Sequence, residues 1–267
     1  MKIARFSRGD SIAYGVIDDE EIVVLAGDPL VSGYETTGER VPRTDVKLLA
    51  PVIPRSKIVA VGKNYRDHVD EMAATHGASD QAPEEPLLFL KPNTSVIGPE
   101  DSIVLPTQSQ RVEYEAELAV IIGRVAKNVA PEDVPGVIFG YTAANDVTAR
   151  DLQFSDGQWA RAKGFDTFCP LGPIVETDLD PAGQELSARV NGAERQRAST
   201  GQMIHDVAAI ISYASHVFTL LPGDVILTGT PAGVGAIVSG DRVEVEISGI
   251  GVLSNPVVAS SVVRAGG

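Results

Sequence analysis

The sequence is poor in cysteine and in basic charge, and it has no long apolar run. A single cysteine, Cys169, excludes an internal disulfide and fits a reducing cytoplasm. Lys and Arg number 22 against 36 Asp and Glu, which leaves a formal charge of −14. Nucleic-acid affinity is built on neutralising phosphates with a basic face, so that class of partner is excluded. No segment approaches the ~18 apolar residues of a membrane span. The opening MKIARFSRGD lacks the apolar core of a secretion signal. The sequon at Asn93-Thr94-Ser95 is therefore set aside. Neither G-x-G-x-x-G nor a Walker A pattern occurs, so the Gly-rich stretch Thr228–Gly235 gives a nucleotide site no support. No internal repeat or low-complexity segment is present. The expectation is a soluble, cytoplasmic protein without nucleic-acid or membrane partners.

What is present has the texture of a globular fold. A hydrophobic content of 43% and a charged content of 22% are ordinary, and 267 residues suffice for one large domain with an appendage. Residues 1–54 read as a small β-rich domain. Ile3–Phe6, Ile12–Val16 and Ile22–Leu25 form short strands between polar turns, residues 29–43 are irregular, and Pro54 marks the boundary. Residues 55–267 form the main domain. Ile58–Gly62 and Leu87–Pro92 are apolar strands, and Asn64 is placed as the cap of a helix over 65–72. Ala73–Pro86 reads as a mobile loop that could serve as a lid beside His68. Residues 137–144 are strand-like, 146–154 amphipathic and helical, and 203–221 carry a core-facing helical period.

The stretch Val112–Val120 organises the rest. In a strand, Glu113, Glu115 and Glu117 project to one face at ~6–7 Å spacing. Each adjacent pair then repels by roughly 2–3 kcal/mol at an effective dielectric near 20. A hard divalent cation would turn that repulsion into attraction, whereas a solvated strand face would screen it; the pattern allows both. Asp146, at the end of an apolar run, is placed to add a third metal oxygen. His68 and Glu71 are three apart on a helix, which suits either a carboxylate-oriented general base or an ordinary ion pair. Arg150 reads as a carboxylate clamp and Lys163 as an oxyanion stabiliser or a surface residue. His205 and His216 read as structural.

In order along the chain, Gly62-Lys63-Asn64-Tyr65 with His68 and Glu71, Phe89-Leu90-Lys91-Pro92, Tyr114–Leu118, Asn145–Asp151, Lys163–Asp166 and Thr228–Pro231 resemble the fumarylacetoacetate hydrolase family. The match spans roughly residues 55–258. It implies that family's α+β fold, predominantly β, a mixed β-roll beside a small N-terminal β domain. It implies Mg²⁺, with Mn²⁺ or Ca²⁺ as alternatives, held by Glu115, Glu117 and Asp146. His68, Glu71 and Lys163 match its catalytic positions, and Arg150, Gln153 and Thr230 match positions lining its substrate pocket. The substrate implied is a small 2-oxo or 2-hydroxy-dienoic acid, and a homodimer is expected. A 2-oxo acid can chelate the metal, which then stabilises an enolate as the neighbouring C–C bond breaks. Acylpyruvate-type hydrolysis is the leading reaction. Oxaloacetate decarboxylation and isomerisation of 2-hydroxyhepta-2,4-diene-1,7-dioate share that intermediate, and a non-catalytic module binding metal and carboxylates is the alternative of another class.

Overall fold

The computed structural model describes residues 1–260. The fold is α+β and predominantly β, as expected, and it is built on a mixed sheet of twelve strands. At its centre lies Ala116–Ile122, every residue of which is buried. An apolar run without alternation is what a strand covered on both faces requires. It pairs antiparallel with Ile138–Asn145 on one side and with Val225–Leu227 on the other. Val225–Leu227 pairs parallel with Ile58–Gly62, and Leu87–Lys91 closes that edge. In the other direction Ile138–Asn145 pairs with Cys169–Glu176, which pairs in turn with Lys2–Arg8. The strands of residues 1–48 thus continue the large sheet. A second sheet of five strands, containing Glu185–Val190, Arg242–Ile247 and Gly251–Ala259, packs against the first. Leu118, Val120, Leu186, Ala188, Val245 and Leu253 meet in the core between them.

Four local expectations change. Residues 29–43 are not irregular: Pro29–Ser32 is a short helix and Thr36–Pro42 an edge strand. That strand buries only Val41, so its polar composition hides it from pattern reading. The helix expected over 146–154 is shorter, Arg150–Ser155, preceded by a two-residue strand at Thr148–Ala149. The core-facing helix runs only Val207–Val217, because the Asp206 side chain caps its start by accepting from the Ala209 N–H at 2.8 Å. The first helix spans Arg66–His76 and has no side-chain cap. Asn64 is turned elsewhere: its amide donates to the His205 carbonyl at 2.9 Å and the Thr228 carbonyl at 2.7 Å, and its oxygen accepts from the His205 N–H.

The longest departure concerns the acidic strand. It is broken at Glu115, so Glu113, Glu115 and Glu117 do not lie on one face of one strand. Val112–Tyr114 belongs to a separate three-stranded sheet with Thr148–Ala149 and Gly235–Ala236. At the break the Glu115 N–H donates to Asn145 Oδ1 at 2.9 Å and the Ala116 N–H to Gln196 Oε1 at 3.0 Å. Side chains thus replace the missing ladder bonds in a buried place.

Cys169 opens the strand beside the central pair and is fully buried, which pushes its thiol up to about 12. A disulfide reagent at pH 8 is expected to leave the native thiol unreacted for hours and to modify it rapidly in 6 M guanidinium. Rapid native labelling would show that the strand opens locally.

Candidate metal centre and active site

Strand register brings the carboxylates together. Ala116 lies opposite Asn145, so Asp146 arrives beside Glu115, and the Asp146 N–H donates to the Glu115 carbonyl at 2.8 Å. Glu115, Glu117 and Asp146 are buried, and each offers an oxygen within 4.8 Å of the others. At an effective dielectric near 20, each pair of charges repels by roughly 3–4 kcal/mol. Glu113 is not part of this group. Its carboxylate is held by Arg111 Nε and Arg150 Nε, each at 2.6 Å.

Buried cations offset the repulsion. Lys163, on the short helix Ala160–Gly164, donates to Glu115 Oε2 at 2.7 Å and to Asp146 Oδ2 at 2.6 Å. Its ammonium also sits 5.1 Å from the centre of the Phe89 ring. Arg150 Nη2 binds Glu115, and Arg150 Nη1 binds the Gln153 side chain. Lys91 Nζ lies 2.6 Å from Asp146 Oδ1. Burial works against a charged Glu115, but Lys163 and then Arg150 hold its carboxyl well below the usual range. Burial likewise opposes the Lys163 charge, and Asp146 and Glu115 outweigh it, raising that pKa. Glu117 is the exception. Burial first, then the charges of Asp146 and Glu115, push it well above the ordinary carboxylate range.

The donor set fits a hard divalent cation. It is all oxygen, it carries more negative charge than Glu117 can tolerate alone, and among the described residues Asp146 Oδ1 meets only the Lys91 ammonium. Mg²⁺ or Mn²⁺ could be held by these three side chains.

The Gly-rich loop explains itself here. The Gly229 N–H donates to Glu117 Oε2 at 2.7 Å, at a φ of +98°. A Cβ there would lie 2.7 Å from that of Asn64. The Gly233 N–H donates to both oxygens of Glu71, at 3.0 and 3.1 Å, and the Tyr114 hydroxyl donates to the Gly233 carbonyl at 2.7 Å. Glu71 in turn lies 3.3 Å from Nδ1 of the buried His68. Burial would raise the Glu71 pKa, but the His68 hydrogen bond and the Gly233 N–H more than offset it and hold it below its ordinary value.

The carboxylate cluster, Lys163, Arg150 and His68 open on one cleft of about 200 Å³. It is lined by eight of the nine residues singled out from the sequence: His68, Glu115, Glu117, Asp146, Arg150, Gln153, Lys163 and Thr230. Glu71 stands behind His68. The Thr230 hydroxyl accepts from Gln196 Nε2 at 2.8 Å. Among the described residues the His205 and His216 rings each meet only a backbone carbonyl, of Pro83 and Ser212, consistent with a structural reading. Sequence reasoning gave no role to Lys91, Tyr114 or Gln196. The one available signal was a lysine closing the apolar run Leu87–Leu90.

A family model for the C-terminal part of fumarylacetoacetate hydrolase matches residues 57–258, and one described as Rv2993c-like, N-terminal, matches residues 1–51. The chain belongs to the fumarylacetoacetate hydrolase family and is an enzyme of that family. A structure of 2-hydroxyhepta-2,4-diene-1,7-dioate isomerase from Mycobacterium marinum superposes with a TM-score of 0.88 at 47% identity, covering 98% of this chain and 99% of that one. The mitochondrial oxaloacetate tautomerase Fahd2a of Rattus norvegicus is 42% identical over 229 residues, 82% of this chain and 71% of the relative. Maleylpyruvate hydrolase from Sphingobium sp. SYK-6, solved with manganese(II) and pyruvate, is 34% identical with a TM-score of 0.79, covering 98% and 100%.

Two outcomes follow. Saturating Mn²⁺ should stabilise the protein by about 2–3 kcal/mol at one hundred times Kd, seen as a Tm rise of roughly 5–10 °C, and Asp146→Asn should abolish the rise. Gly229→Ala should cost about 1–3 kcal/mol in urea denaturation through forced φ and the Asn64 clash. An unchanged midpoint would contradict the tight approach of this loop.

Proposed function

We propose that this enzyme uses a divalent cation to cleave a C–C bond next to the pyruvoyl group of a small 2-oxo acid, as an acylpyruvate-type hydrolase. The observation that carries this reading is that His68, anchored from behind by Glu71, and the three clustered carboxylates open on one cleft. Glu115, Glu117 and Asp146 would hold the cation, Mg²⁺ or Mn²⁺. When bound, it supplies a Lewis acid for the keto and carboxylate oxygens of the substrate.

The chain's own residues supply the remaining steps. With Nδ1–H donated to Glu71, His68 Nε2 carries a lone pair and takes a proton from water, whose oxygen adds to the distal carbonyl carbon. The Lys163 ammonium, in the cleft wall, offsets charge on the resulting oxyanion. That oxyanion collapses to a carboxylic acid as the C–C bond breaks. The bonding electrons stay with the pyruvate fragment as an enolate, and the proton on His68 returns to its methylene carbon. Arg150, Gln153 and Thr230 would orient the acid.

A second reading is supported by relatives named as an isomerase and a tautomerase. There His68 would move a proton on the substrate itself, and no water would add. The single cysteine supports a cytoplasmic location, the family resemblance a homodimer, and the two family-model matches a domain boundary near residue 54.

With Mn²⁺, the purified enzyme is expected to consume acetylpyruvate faster than it decarboxylates oxaloacetate, and EDTA should abolish both activities. His68→Ala should slow hydrolysis by roughly 10²–10⁴-fold. Glu115→Ala with full metal-dependent turnover would overturn the metal assignment. Interconversion of the keto and enol forms of oxaloacetate without acetylpyruvate hydrolysis would replace the first reading with the second.

A further inference from the structure

The strand Ala193–Ser199 lies at the edge of the second sheet, and the one residue it buries is polar: Gln196, 1% exposed. A glutamine in such a place is costly unless its amide is fully used. The strand is also bent to deliver it. Ala188 lies opposite Gln196 and Arg189 opposite Glu194, so the register skips Arg195, a bulge of the kind that re-aims a neighbouring side chain. The bulge presses on the Gly-rich loop, where a Cβ on Gly233 would lie 2.1 Å from the Arg195 carbonyl oxygen.

Only one orientation of the Gln196 amide serves its neighbours. Oε1 accepts from the Ala116 N–H at 3.0 Å, while Nε2 donates to the Pro231 carbonyl and to the Thr230 hydroxyl, each at 2.8 Å. Turned over, the amide would set N–H against N–H at Ala116 and oxygen against oxygen at Pro231. Gln196 therefore meets Thr230 as a donor. The Thr230 hydroxyl accepts there, so its own proton points away from Gln196, and among the described residues that proton meets no acceptor. Thr230 is 3% exposed and lines the cleft. A buried hydroxyl whose lone pair is taken and whose proton is free is set to donate to an anion in that cleft.

We propose that Gln196 is a positioning residue for substrate binding: it fixes the polarity of the Thr230 hydroxyl, which then donates its proton to the carboxylate of the 2-oxo acid. Gln196 is not part of the cleft wall and acts only through Thr230. The same amide satisfies the break in the acidic strand at Ala116, so one side chain ties the metal carboxylates to the substrate's hydrogen-bond donor. This rests on the reading above in taking Thr230 to orient the acid.

The test is a double-mutant cycle on pyruvate binding, measured calorimetrically with the enzyme saturated in Mn²⁺ and with Tm recorded for each variant. Gln196→Glu keeps an acceptor for the Ala116 N–H but loses the donor, so the Thr230 proton turns towards it and a lone pair faces the cleft. Pyruvate affinity is expected to fall about tenfold in Gln196→Glu and in Thr230→Val, the scale of one hydrogen bond to a charged group. The double variant should bind no more weakly than Thr230→Val alone, and Thr230→Ser should keep the wild-type affinity. Gln196→Met adds no charge, should show the same dependence on Thr230, and carries the test where the glutamate variant does not fold. A loss that persists in the Thr230→Val background, or full affinity in the Gln196 variants, overturns the positioning role. Full affinity in Thr230→Val, or no pyruvate binding by the wild type, overturns the reading of Thr230 and this inference with it.

Discussion

Four carboxylates and three cations with almost no access to water form the constraint on which the rest of this enzyme depends. Glu113, Glu115, Glu117 and Asp146 are buried together with Lys91, Arg150 and Lys163. Burying any one of these alone would cost several kcal/mol, and six of the seven are paired with a neighbour of opposite charge. The balance is close but incomplete: among the described residues Glu117 has no cation in ion-pair contact, and burial with the charges of Asp146 and Glu115 raises its pKa. An incomplete balance of this kind invites a divalent ion. Fully paired carboxylates would form a structural network, and wholly unpaired ones would not fold.

The backbone is shaped to hold this arrangement. The acidic segment cannot run on as one strand. A straight ladder would project Glu115 and Glu117 to one face at strand spacing and leave Asp146 to find them. The break at Glu115 is kept by Asn145 and Gln196, which accept the freed N–H groups. Asn64 performs the same service between the His205 turn and the strand end at Thr228. The Gly229–Gly233 loop then reaches both halves of the site. One glycine N–H holds Glu117 and the other Glu71, so the carboxylate cluster and the partner of His68 are positioned by a single loop that tolerates no side chain at Gly229.

The features legible in the sequence were those with a local signature. Apolar runs without alternation marked the central strands, and the i, i+3 spacing marked His68 with Glu71. The chemistry of Glu115, Glu117 and Asp146 was only half legible. Strand periodicity gave spacing on one face, whereas their actual meeting depends on the register Ala116 to Asn145, a contact 29 residues apart in the chain. Lys91 was hidden for the same reason. A lysine ending an apolar strand looks like a solvated strand end until Asp146 is brought to it. Thr36–Pro42 escaped because an edge strand with one buried residue has nothing to alternate.

Specificity has to be written away from the carboxylate cluster. An enolate next to a chelated 2-oxo acid serves hydrolysis, tautomerisation and isomerisation alike, so the groups that stabilise it cannot distinguish among these reactions. Those groups are also the ones least free to vary, since substituting any of them leaves an uncompensated buried charge. The wall built from Lys63, Met72, Phe89 and Trp159 is under no such restraint. His68 lines the same cleft, with Glu71 behind it. If the wall holds the substrate so that a water lies at Nε2, the histidine activates that water; if it brings a substrate carbon there, the same histidine moves a proton. On the proposed function, one dyad and one charge cluster would serve either reaction, and the far wall of the cleft would select between them.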